Sequence, residues 1–145
     1  MNTIRIEILK PGLLTTIQDE GRPGMALFAV PPSGAADLQS LHLVNSLLGN
    51  PVNNPVLECT QMGISFKFHN PCLFAICGSD FGWTLDGQAI GTNKVIHTEA
   101  GAILDYGNKR TMARAYIAFG GKLRTTQSLG SFSTYTPFHL YRIHI

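Results

Sequence analysis

Short apolar runs, broken at close intervals by glycine and proline, constrain this chain more than any other feature. Residues 56–60, 64–68, 72–77, 83–85, 95–97, 102–106 and 114–119 are β-like runs, each too short for a helix. Asn70-Pro71, Gly78-Ser79-Asp80, Asp86-Gly87, Ala100-Gly101 and Gly120-Gly121 separate them, and these are turn-forming combinations. The 15 Gly and 8 Pro of the chain fit the same picture. Many short strands with such punctuation argue for a barrel or a sandwich. Upstream, residues 4–8 alternate apolar and polar, the two-residue period of a half-buried strand. Residues 13–17 form a second β-prone run, and residues 25–30 read as a third, fully buried strand.

One principal helix, near residues 35–48, interrupts this pattern. Leu38, Leu41, Val44 and Leu48, joined by Leu47, recur at helical spacing and make one apolar stripe. Ser33 is the expected cap, and Asp37 in the first turn suits the positive end of the helix dipole. Gly49 and Pro51 supply the stop. The expected fold class is therefore mainly β with an α+β tendency, one helix covering an open face of the strands.

Bulk properties exclude several function classes. At 145 residues the chain has the size of one domain, and 44% apolar with 14% charged residues belongs to a globular protein. A formal charge of +2 without a basic run gives no nucleic-acid surface. No window reaches the length of a membrane span, so no membrane partner is expected. The first twelve residues carry charge inside their apolar stretch, unlike a secretory signal, and the expected compartment is the cytoplasm. Cys59, Cys72 and Cys77 then read as reduced, buried small hydrophobes; they form no C-x-x-C pair, and no metal site is expected.

The densest polar constellation runs from Thr15 to Gly24 and includes Gln18, Asp19 and Arg22; Pro31-Pro32-Ser33-Gly34 and Asp37 follow soon after. Glycines let a backbone approach a ligand closely, and arginine offers a planar fork for a carboxylate. Ser33-Gly34 leading into a helix start is a ready anion site. A structural alternative stands beside this reading: Asp19 and Arg22 form a local ion pair that pins a turn, and Ser33 and Asp37 only cap the helix. Gly78 and Asp80, at the end of a buried-looking strand, are placed either for chemistry or for capping a turn. No G-x-S-x-G elbow and no Walker-type loop occurs. The five histidines are scattered, each an ordinary surface or satisfied residue; Trp83 and the phenylalanines read as core.

The motifs also carry a resemblance. Residues 10–19 with Gly21-Arg22-Pro23-Gly24, then Val30-Pro31-Pro32-Ser33-Gly34-Ala35 with Asp37, Ser40, Asn45, Gly49-Asn50-Pro51 and Leu57-Glu58, resemble allophanate hydrolase subunit 2. Gly78 with Asp80, Ala115-Tyr116-Ile117-Ala118 with Gly120-Gly121, and Leu129-Gly130-Ser131 with Ser133-Thr134 continue the likeness in order. Three places depart from the family pattern: Ala29 stands for a glycine, Cys77 and Ser79 flank Gly78 where the family has threonine and alanine, and Phe132 stands for an arginine.

The resemblance implies a cyclophilin-like β-barrel of the carboxyltransferase domain group, which includes the C subunit of 5-oxoprolinase. Residues 1–135 would be the N-terminal part of such a domain. Residues 136–145 would be an atypical tail, such as a frameshift or early stop gives. It implies a subunit of an ATP-dependent amide-hydrolysing complex acting on a small amide or lactam such as 5-oxoproline, paired with a subunit 1-type protein. ATP would be consumed by the complex, and biotin enters only by analogy with carboxyltransferase relatives. The expected site has Asp19 and Asp80 as catalytic residues, with Gln18, Arg22, Ser33, Gly34, Asp37 and Gly78 binding substrate. Two other readings are a non-catalytic partner-binding module that antagonises a kinase inhibitor, and a truncated, inactive remnant.

Overall fold

The computed structural model of the chain describes residues 4–121 and 123–135. Its ten strands are β1 (Ile6–Lys10), β2 (Leu14–Gln18), β3 (Val56–Thr60), β4 (Ser65–Phe68), β5 (Cys72–Gly78), β6 (Thr84–Leu85), β7 (Gln88–Ala89), β8 (Val95–Thr98), β9 (Ile103–Asp105) and β10 (Arg114–Phe119). They form two five-stranded antiparallel sheets, in the orders β1-β4-β9-β6-β7 and β2-β3-β10-β5-β8. The one α-helix among the described residues, α1, spans Leu38–Leu47. The architecture is mainly β, as the run lengths imply.

The two-residue period explains where the core lies. In β10, Ala115, Ile117 and Phe119 join Leu57 and Cys59 of β3 and Phe74 and Ile76 of β5 on one face. That face packs against Ile6, Phe66, Phe68 and Leu104 of the other sheet, with Phe81 and Trp83. The alternate residues Tyr116, Ala118, Val56, Ala75 and Cys77 point the other way and meet Leu41 and Val44 of α1. The second sheet is therefore buried on both faces, which is why β10 and β5 read as near-continuous apolar runs rather than alternating ones. Burying Leu41 and Val44 contributes about 1.5–3 kcal/mol each.

Residues 25–30 do not form a strand. Met25–Phe28 is a short 3-10 turn whose flanking residues, Gly24 and Ala29, both lie in the left-handed region, at φ 83° and 57°. Such ends cannot continue an extended chain. The turn projects outward, Leu27 94% and Phe28 74% exposed, and only Val30 is buried. A short apolar run does not by itself report its conformation.

The helix cap also differs from expectation. Asp37, not Ser33, is the cap: its carboxylate accepts from the Ser40 amide at 3.1 Å and the Ser40 hydroxyl at 2.6 Å. Those bonds, the hydroxyl first, hold its carboxyl below the usual carboxylate range against the opposing effect of burial. At the other end Asn45 is fully buried. It donates to the carbonyls of Val52 and Asn54 and pins the following loop.

Among the described residues, no helix is long and apolar enough to cross a membrane. The three cysteines are free, and burial pushes the Cys59 thiol up to about 12 and those of Cys72 and Cys77 to about 11. The expected atypical tail, residues 136–145, lies outside the described residues.

Candidate functional site

Two glycines bring the polar constellation together. A side chain on Gly21 would strike the carbonyl oxygens of Pro32 and Ser33, at 2.5 and 2.7 Å, and one on Gly34 would strike that of Glu20 at 2.9 Å. Both residues have positive φ, 88° and 98°. Here the glycines let two segments of backbone approach each other. The Arg22 amide donates to the Pro32 carbonyl at 2.6 Å, and the Ala35 amide to that of Asp19 at 2.9 Å. Ser33 itself is held left-handed at φ 54° in this contact.

Asp19, at the exit of β2, is the buried anion of this corner. Its Oδ1 accepts from the Gly21 amide at 2.7 Å and from the hydroxyls of Ser131 and Ser133 at 2.5 and 2.6 Å. Its Oδ2 accepts from the Phe132 amide at 2.7 Å. Burial alone would raise this carboxyl, but those four donors outweigh it and hold it below the usual range. Arg22, only 2% exposed, donates from Nη1 to Ser33 Oγ at 2.9 Å and from Nη2 to the Ser133 carbonyl at 2.5 Å. The two charges thus meet on Ser133 rather than on each other, and Arg22 Nε is buried without a partner among the described residues. Gln18 is also buried, its amide nitrogen on Thr16 Oγ1 at 3.0 Å. A cavity of about 310 Å³ opens beside Asp19, lined also by Pro51, Asn53, Asn54 and Phe132.

A second cluster lies where the loop meets the outer face of the second sheet. Glu58 Oε2 accepts from the Ala36 amide at 2.9 Å, and the Tyr116 hydroxyl from the Asp37 amide at 2.9 Å. Burial first, then the charge of the hydrogen-bonded Glu58, pushes the Tyr116 phenol well up, so it stays protonated at ordinary pH. Arg114 Nε lies 3.5 Å from Glu58 Oε1. Ala36, Asp37, Met112, Arg114 and Tyr116 line a small cavity of about 150 Å³. Gly78 sits behind it, where a side chain would strike the Arg114 carbonyl at 2.6 Å. Sequence reasoning missed Glu58, Tyr116, Ser131 and Ser133 as site residues. Their signal was present only as blocks of the resemblance.

Asp80 occupies a third corner. Its carboxylate accepts from Lys109 Nζ at 2.6 Å and from the Gly82 amide at 2.8 Å, and its own amide donates to Thr111 Oγ1 at 2.9 Å. The Lys109 hydrogen bond, the largest influence, lowers its carboxyl. Along the shared sheet, Gln18 pairs with Val56 at one end of β3, whereas Gly78 pairs through Ala115 with Cys59 near the other. Gln18, Asp19, Arg22, Ser33 and Gly34 are therefore brought together, Asp37 lines the small cavity, Gly78 packs against the Arg114 carbonyl, and Asp80 stands apart from Asp19. Among the described residues no group of three metal-ligating side chains gathers.

These corners can be set beside known proteins. The family described as carboxyltransferase domain, subdomain A and B, matches residues 28–140. Urea amidolyase of Saccharomyces cerevisiae is 40% identical over 132 residues, which is 90% of this chain and 7% of that protein. The C subunit of the Escherichia coli 5-oxoprolinase is 32% identical over 129 residues, 89% of this chain and 42% of that one. The crystal structure of the K. lactis urea amidolyase superposes with a TM-score of 0.84 at 36% identity, covering 92% of this chain and 8% of the other. The chain thus spans well under half the length of these curated relatives.

Proposed function

We propose, from the premise that this chain belongs to the carboxyltransferase domain family, that it is one part of a cytoplasmic ATP-dependent amide-hydrolysing assembly. The substrate in this reading is a small amide or lactam such as 5-oxoproline, and a subunit 1-type protein is the partner. ATP is consumed by the assembly, and biotin enters only by analogy with the urea amidolyases. One observation carries the proposal: blocks around Asp19, Asp37, Glu58, Tyr116 and Ser133, distant in sequence, are tied together by hydrogen bonds through buried polar groups. A fold that only needed to bury its core has little use for such a network.

Within this reading, Arg114 at the small cavity supplies a cation for a carboxylate or a developing oxyanion, and Asp37 and Tyr116 present polar groups beside it. Gln18, Arg22, Ser33 and Gly34 shape the loop that carries Asp37, and Gly78 lets the backbone approach the Arg114 carbonyl closely. Asp80 keeps a quarter of its side chain open to solvent, and we assign it to proton handling. Asp19, with its lone pairs occupied, acts by position.

A partner-binding module without turnover is the second reading, favoured by the exposed Leu27 and Phe28. The test is ATP-dependent release of glutamate from 5-oxoproline, measured with partner subunits present, beside ammonia release from allophanate. Turnover that falls at least tenfold in Arg114→Gln supports the first reading. A stable complex with the partner and no turnover on either substrate supports the second and defeats the first.

A further inference from the structure

The largest cavity among the described pockets, about 410 Å³, adjoins the Asp80 corner through Lys109 but has no role assigned above. It lies between the β3–β4 turn, with Gln61 and Met62, and the β9–β10 loop, with Tyr106, Gly107, Asn108, Lys109 and Arg110; Phe81 forms its floor. No acidic residue lines it. Its cations differ in what they already hold. Lys109 is neutralised by Asp80 at 2.6 Å, and nearby Lys10, 5.8 Å from the Tyr106 ring, by Asp105 at 3.0 Å. Arg110 has only a neutral contact, its Nη1 donating to Gln61 Oε1 at 2.5 Å, and among the described residues it meets no carboxylate. Gln61 makes that contact from a left-handed backbone, φ 69°, anchored by its amide on the Ala113 carbonyl at 2.7 Å.

We propose that this cavity binds a small monocarboxylate with a flat or apolar body. The guanidinium fork of Arg110 has donors left for two carboxylate oxygens, a pairing that is planar and bidentate. The charge count selects a monoanion: once Lys109 and Lys10 are paired, one positive charge remains, and a phosphate dianion would be left half compensated. Tyr106 and Met62 supply the apolar surface against which the body of the ligand rests. Such binding needs this chain alone and no turnover, so it stands or falls apart from the amide-hydrolysis reading.

The experiment is an NMR titration of the isotope-labelled chain with benzoate, its neutral isostere benzamide, and inorganic phosphate, repeated on variants. Benzoate should shift the amides of Gly107 to Arg110 and bind more tightly than either other probe. Arg110→Gln should weaken benzoate roughly tenfold or more, and Arg110→Lys should lie between, having charge without the fork. Lys94→Gln, an exposed cation elsewhere, should leave affinity unchanged. Benzamide binding as well as benzoate, or Arg110→Gln binding normally, would overturn the proposal. Phosphate binding more tightly than benzoate would overturn the ligand class. Arg110 is exposed, so an unchanged thermal midpoint is expected and separates loss of binding from loss of fold.

Discussion

Asp19 and Asp80 follow strands of the same sheet, carry the same functional group, and both have lowered carboxyls, yet they sit in different surroundings. Asp19 is buried and takes four hydrogen bonds, two from serines more than a hundred residues away. Asp80 is partly open, and its strongest partner is a lysine that is itself 60% exposed. The contrast shows that carboxyls lowered alike can be held by quite different surroundings. Around Asp19 the donors are fixed by burial, so the carboxylate organises the loop of residues 128–134 against β2. Around Asp80 the charged partner is an exposed side chain, so the pair stays open to solvent.

The contrast breaks most easily at the donors. Ser131→Ala combined with Ser133→Ala removes two hydroxyl bonds to a buried charge, each worth about 1.5–3 kcal/mol, and should cost on the order of 3–6 kcal/mol in urea unfolding. A loss near zero would mean that water replaces the serines freely. Tyr116→Phe comes next. It strips a buried acceptor from the Asp37 amide and a partner from Glu58, and should cost about 1–3 kcal/mol while leaving the sheets intact by circular dichroism. Smallest is Asp80→Asn or Lys109→Gln, expected within about 1 kcal/mol of the native protein because the pair is solvated. A larger penalty there would erase the distinction between the two corners.

Much of the fold was legible in the residues. Strands β3 and β10 lie where the apolar runs begin and end, because runs buried on both faces leave an unbroken signature. Residues 25–30 misled because their apolar character serves an exposed turn, and nothing in a six-residue window distinguishes that from a buried strand. The short hairpin strand β7 went unread because two exposed residues leave no pattern. At the site, Gln18, Asp19, Arg22, Ser33 and Gly34 were legible as a cluster from composition and spacing. Their partners were not, since Ser131 and Ser133 sit in a serine- and threonine-rich stretch whose pairing with Asp19 is set only by tertiary folding. Glu58 and Tyr116 hide inside strands, where a charged or phenolic side chain looks like an ordinary member of the alternation.

Asp19 is the positioning anion on which the polar corner depends, and pH tests that role most directly. Its folded carboxyl lies below the ordinary value near 3.8, so its stabilisation is fully present above that value. It is lost as pH falls through the folded value. Urea unfolding of the native protein and of Asp19→Asn, measured from neutrality down to acid, should therefore show a constant gap on the order of several kcal/mol at neutral pH, because the four donors gathered at position 19 lose their charged acceptor. The gap should narrow only below about pH 4. An Asp19→Asn protein as stable as the native one at neutral pH, or a gap that does not narrow in acid, would contradict that role.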